Sequence, residues 1–247
     1  MENENWDSWI NALRKKWSEV PAGLGILSTT ALSSISDKEL IKKWETGRNN
    51  SITGEYYNVR GWYHKKYIPI FSNKKVMDIG SGFGMDGITY AQNDAKVTFV
   101  DILESNLDIL ERICNIYQLK NVEFLFLKNL KSLQKLQKDY DFLYAQGSMI
   151  NAPFKIMKEE CEVLLDFLPK NGRWIELAYP RERWINEGRM SFETWGRRTD
   201  HGAPWIEWYD LDKILKRLSP VDFEVLDYHN FGLYHRPEFN WFDLKRK

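Results

Sequence analysis

The sequence predicts an α/β protein built on a seven-stranded, mostly parallel sheet whose last strand runs antiparallel. Three observations carry that expectation. From residue 74 onward, short apolar runs alternate with helical stretches, a pattern that requires crossovers and a sheet covered on both faces. A glycine run follows directly on the first of these strands. The chain ends in two strand-like segments with no helix between them, which can only pair as an antiparallel hairpin.

Residues 1–70 read as a helical N-terminal cap. Trp6, Trp9, Ile10, Leu13 and Trp17 recur at i, i+3, i+4, i+7 and i+11, one stripe of a helix that serves either a homodimer interface or packing on the sheet. After a Pro/Gly/Ser interval, Ser36-Asp37-Lys38-Glu39 has the form of a capped helix start. A further aromatic segment, 55–67, carries Tyr57, Arg60, Trp62 and His64. Residues 71–247 form the main domain. Strands are expected at 75–79, 96–101, 122–127, 140–145 and 173–179, then at 223–228 and 239–244. Helices are expected from about residue 86, around Leu107–Tyr117, over 156–168 and over 211–218.

Composition excludes several classes. Lys plus Arg is 35 and Asp plus Glu is 35, so the chain lacks the basic footprint of a nucleic-acid or anionic-membrane protein. Two cysteines make no disulfide framework, and the N-terminus is polar with no apolar run near the length of a membrane span. The expectation is a cytoplasmic protein with no membrane and no nucleic-acid partner. Aromatic residues make up 15% of the chain, many outside the strands, which points to an aromatic pocket or interface.

The chemistry sits at the end of the first strand. Gly80, Gly82 and Gly84 are spaced G-x-G-x-G, with Met85 where a dinucleotide fingerprint needs its last glycine. Asp78 precedes the run, and a carboxylate there would repel a pyrophosphate but suits an ammonium or sulfonium. The second strand ends in Asp101, placed to accept hydrogen bonds from both hydroxyls of a ribose. A ribose joined to a cationic amino-acid moiety, without phosphate, describes S-adenosylmethionine.

Asp78-Ile79-Gly80-Ser81-Gly82-Phe83-Gly84 followed by Val97-Thr98-Phe99-Val100-Asp101 resembles the first two motifs of the class I S-adenosylmethionine-dependent methyltransferases, over roughly residues 70–180. The resemblance implies the Rossmann-like sheet of that family. It also implies that Asp78, Gly80, Ser81 and Gly82 face the methionine moiety, Asp101 the ribose and Ile102 the adenine. After the third strand the family commonly has an acid that meets the adenine amino group. This chain has Lys128-Asn129-Leu130 instead, so Asn129 and Leu130 stand in that region. Gln146-Gly147-Ser148, after the fourth strand, would lie beside the transferred methyl, with Tyr57 and Arg60 reaching the donor's carboxylate. The fourth strand carries no nucleic-acid methylation motif and no metal-binding acids after it.

The connection 180–209 is far longer than the usual 2–6 residues, and it leaves the carboxyl end of a central strand. We expect a lid over the methyl donor, with Trp184, Trp195 and Trp205 stacking on the acceptor and Arg197 and Arg198 gripping an anionic group. Ser148 would touch the acceptor from below. Candidate general bases are His201, His64 and Tyr179. The expected activity is metal-independent methyl transfer to a polar small molecule, on the oxygen of a sugar-bearing or natural-product metabolite. N-methylation of a small amine or guanidine, served by Glu176, Asp200 or Glu207, and a protein or RNA acceptor are the alternatives.

Overall fold

The structure is a computed structural model that describes residues 5–19, 28–53, 58–199, 202–232 and 238–247. Seven strands form one sheet in the order β3-β2-β1-β4-β5-β7-β6. The first five are β1 (Lys75–Ile79), β2 (Lys96–Asp101), β3 (Val122–Phe126), β4 (Phe142–Gln146) and β5 (Arg173–Ala178). All neighbouring pairs among them are parallel. The closing strands β6 (Phe223–Phe231) and β7 (Phe239–Arg246) form the expected antiparallel pair, with β7 inserted beside β5. Strand order reverses between β1 and β4, so the crevice at their carboxyl ends is the natural binding position of such a sheet.

Alternation along the strands divides the core in two. Val76, Val97 and Phe99 pack with one cluster, Met77, Ile79 and Val100 with the other. The first face is covered by α2 (Thr29–Ser34), α3 (Asp37–Thr53), α4 (Asn58–Phe71), α5 (Met85–Ala91) and α6 (Glu104–Ile116). The second is covered by α7 (Phe154–Leu164), α10 (Leu211–Leu218) and the connection carrying α8 (Arg181–Asn186) and α9 (Phe192–Thr199). The helix expected to reach 168 ends at Leu164 and tightens into a 3₁₀ turn at Leu165–Phe167.

The link from β3 to β4 holds only a short 3₁₀ turn, Leu130–Lys135, instead of a crossover helix. The N-terminal helix α1 (Trp6–Glu19) takes that place, burying Trp6, Ile10 and Leu13 in the cluster that contains Leu125, Leu127 and Leu133. Burial of each such side chain is worth about 1.5–3 kcal/mol. Of the two uses left open for the tryptophan stripe, packing on the sheet is the one observed. Among the described residues no helix is long and apolar enough to cross a membrane.

Candidate functional site

The glycine run makes a tight turn from β1 into α5. Gly80, Gly82 and Gly84 have φ of 71°, 54° and 60°, a region that L side chains avoid. At Gly80 crowding adds to conformation, because a Cβ would stand 2.3 Å from that of Ser148. Ser81 locks the turn: its hydroxyl donates to Asp78 O at 2.7 Å and accepts from Val100 N at 3.1 Å. Asp101, at the end of β2, accepts from Gly82 N through Oδ2 and from Leu103 N through Oδ1, each at 2.8 Å. Burial pushes its carboxyl up to about 6 against the pull of those amides.

These residues line a cavity of about 390 Å³ at the switch point. Asp78, Gly80, Ser81, Gly82, Asp101 and Ile102 are all on its wall, together with Gln146, Gly147 and Ser148 from the end of β4. Ser148 donates to Ile79 O at 2.6 Å, which ties the β4 loop to β1 across the crevice. The cradle fits S-adenosylmethionine: bare backbone for close approach, the buried carboxylates Asp78 and Asp101 on the wall, and, among the described residues, no lysine or arginine there for a phosphate.

Other expected residues stand elsewhere. Asn129 is spent on capping the 3₁₀ turn, its side chain bonded to Ser132, and neither it nor Leu130 is on the cavity wall. His64 is buried behind the wall, its Nε2 2.7 Å from Asp86 Oδ1, so it reaches the cavity only through that carboxylate. Asp86 is also bonded by Tyr144 at 2.9 Å and Tyr63 at 3.2 Å, and Gln146 donates to the Tyr63 hydroxyl at 2.8 Å. Tyr57 and His201 lie outside the described residues, as does the side chain of Arg60 on α4.

None of the tryptophans of segment 180–209 is on the cavity wall, and Trp195, Trp184 and Trp208 join the hydrophobic cluster on the second face of the sheet. Trp195 is fully buried and donates to Glu187 Oε2 at 2.6 Å. Trp184 packs on Phe192 and Trp208, and Trp205 on Phe192 and on Trp9 of α1. Arg197 and Arg198 are exposed, and Tyr179 lies under the Arg183 guanidinium, 4.1 Å from its ring centre. Trp184, Trp195 and Trp205 thus pack on other side chains, and none of the five residues expected to clamp the acceptor is on the cavity wall. Glu176 and Glu207 are likewise committed, to a buried ion pair with Arg217 and to one with Lys213 at 2.7 Å.

The segment is nevertheless fastened to the cavity rim. Glu207 N donates to Ile150 O at 2.9 Å, Phe154 N to Glu207 Oε2 at 2.8 Å and Asn151 Nδ2 to Trp205 O at 3.3 Å. Asn151 itself is on the wall. Part of the remaining wall comes from residues whose function the sequence pattern conceals: Ile10, Leu13 and Trp17 of α1, and Met157 and Glu160 of α7. Arg14 fixes α1 there, donating to Ile102 O at 2.9 Å and to Leu127 O and Lys128 O at 2.6 Å. A stripe of apolar helix positions reads as core whether it covers a sheet or a ligand. Glu160 alone left a signal, as an acid on the apolar face formed by Ile156, Met157, Cys161 and Leu164.

No family model matches the chain. A curated relative, ribosomal RNA small subunit methyltransferase G from Clostridium perfringens, is 25% identical over 168 residues, covering 64% of this chain and 69% of the relative. The protein of the same name from Prochlorococcus marinus is 28% identical over 129 residues, half of each chain. Among solved structures, magnesium protoporphyrin IX methyltransferase from Synechocystis PCC 6803 with bound S-adenosylhomocysteine superposes with a TM-score of 0.59 at 15% identity. That match covers 78% of this chain and 86% of the other. TehB from Haemophilus influenzae superposes with a TM-score of 0.55 at 16% identity, over 75% of this chain and 62% of its own.

Proposed function

We propose that this chain, which has the class I S-adenosylmethionine-dependent methyltransferase fold and methyltransferases among its sequence relatives, transfers a methyl group to the oxygen of a polar small molecule. The observation that carries the acceptor class is the rim: segment 180–209, with two helices of its own, is hydrogen-bonded to the loop after β4, whose Gln146–Asn151 stretch lines the cavity. A cavity of about 390 Å³ suits a molecule that enters whole, and a net charge of zero gives no field for a polyanion.

Asp78 is the residue for the ammonium end of the donor and Asp101 for its ribose hydroxyls, with the Gly80–Gly82 backbone between them. The donor, when bound, supplies a carbon already activated by a sulfonium, so the protein's part is to orient the acceptor and exclude water. Gln146, Ser148 and Asn151 are the polar groups on the wall at the acceptor side. Asp86 accepts the acceptor's hydroxyl proton as the oxygen is methylated, and His64 is a positioning residue that holds Asp86 from behind. A ribosomal RNA acceptor is the second reading, favoured by the names of the sequence relatives.

The test incubates the protein with methyl-labelled S-adenosylmethionine and a cell extract separated into metabolites and RNA. Label in the metabolite fraction supports the small-molecule reading. Label in RNA with none in metabolites replaces it with the second.

A further inference from the structure

We infer that Glu160 reads the adenine of the donor, replacing the acid that Asn129 and its neighbours do not supply after β3. The inference rests on the cofactor reading above. Glu160 sits on α7, 4% exposed, on the wall of the same cavity as Asp101 and Ile102. Its Oε2 accepts from Trp6 Nε1 at 2.8 Å, and no described residue bonds its Oε1.

With the ribose hydroxyls on Asp101, the base continues into the part of the cavity walled by Ile102, Leu127, Ile10, Leu13 and Met157, which is apolar. Flat apolar walls hold a purine but do not distinguish one purine from another. Of the other polar side chains on the wall, Ser148 is engaged with Ile79 O, Gln146 with Tyr63, Asn151 with Trp205 O, Asn106 with Thr29 and Asp101, Ser81 with Asp78 O and Asp86 with His64. Glu160 is the carboxyl set among the apolar residues. An acceptor there matches the exocyclic amino group of adenine and opposes the carbonyl that hypoxanthine carries at the same position.

Trp6 sharpens the inference. Its indole N–H needs an acceptor and takes one oxygen of Glu160, leaving the other for the base. In Glu160→Gln the single amide oxygen turns to Trp6 and the NH₂ faces the cavity, so the preference between an amino and a carbonyl purine is lost or inverted.

The experiment is calorimetric titration of wild type, Glu160→Gln and Asn129→Ala with S-adenosylhomocysteine and with S-inosylhomocysteine, its 6-oxo analogue. At pH 8.5, where Glu160 is ionised, wild type should prefer the adenosyl compound on the order of 10- to 100-fold, the span expected of a hydrogen bond to a charged group. Asn129→Ala should keep that ratio, and Glu160→Gln should abolish or reverse it. A residue that only supports the fold would weaken both ligands alike and leave the ratio unchanged, which overturns the inference. So does a wild type that binds both compounds equally, a result that stands whether or not the variant folds. Binding of neither compound to wild type removes the cofactor reading and this inference together.

Discussion

Glu160 and Gly80 are the residues at which physical chemistry makes the sharpest demands. Burial pushes Glu160 up to about 7 against the hydrogen bond from Trp6 and the charge of Arg217. Its folded pKa lies above the 4.5 of the unfolded chain, so the folded state holds its proton more tightly. The group therefore favours folding fully below about pH 4.5, and that contribution is lost as pH rises through 7. Glu160→Gln should be more stable than wild type at pH 8, by about 1–3 kcal/mol, and the difference should vanish at pH 4. Urea unfolding of both proteins across that range checks the prediction. At Gly80, Gly80→Ala meets both a φ of 71° and the Ser148 Cβ at 2.3 Å. It should cost at least about 1–2 kcal/mol of stability and weaken S-adenosylhomocysteine binding, read by thermal unfolding with and without the ligand.

Two elements depart from what their residues suggest. The 180–209 segment carries tryptophans and arginines that read as a ligand clamp, yet Trp195 is fully buried and its neighbours pack on each other. Trp195→Ala should accordingly cost about 3–5 kcal/mol in a denaturant titration, with a much smaller effect on donor affinity than on stability. The helix α1 departs the other way: its stripe reads as plain packing, and it also forms cavity wall. Arg14→Ala removes a guanidinium from three carbonyls that flank Ile102 and Leu127. It should lower both stability and S-adenosylhomocysteine affinity by about 1–3 kcal/mol, measured by unfolding and by calorimetry. The strand–glycine–helix turn and the second acid were legible in the sequence because their geometry is local. Asp101 bonds Gly82, and Ser148 bonds Ile79, on a frame set by adjacent parallel strands. Glu160, Ile10, Leu13 and Trp17 were not legible as site residues, because they reach the cavity only through packing between helices distant in the chain. His64 was legible as a titratable group but not as one screened from the cavity by Asp86.

At the scale of the whole molecule, the sheet order, the antiparallel closing pair and the cavity at the switch point agree with one another and with zero net charge. The buried Glu176–Arg217 pair joins β5 to α10, and Arg217 donates onward to Met149 O at 2.9 Å in the loop that walls the cavity. Core and site are thus one mechanical unit, and a ligand that binds only the folded chain must raise its unfolding temperature. The central claim is that this cavity holds S-adenosylmethionine with Asp101 on its ribose. Calorimetric titration with S-adenosylhomocysteine of wild type and Asp101→Ala tests it most directly. Wild type should show one site per chain, and the variant an affinity about 5- to 150-fold weaker. Equal affinity in the two proteins, or binding of NAD in place of S-adenosylhomocysteine, would contradict it.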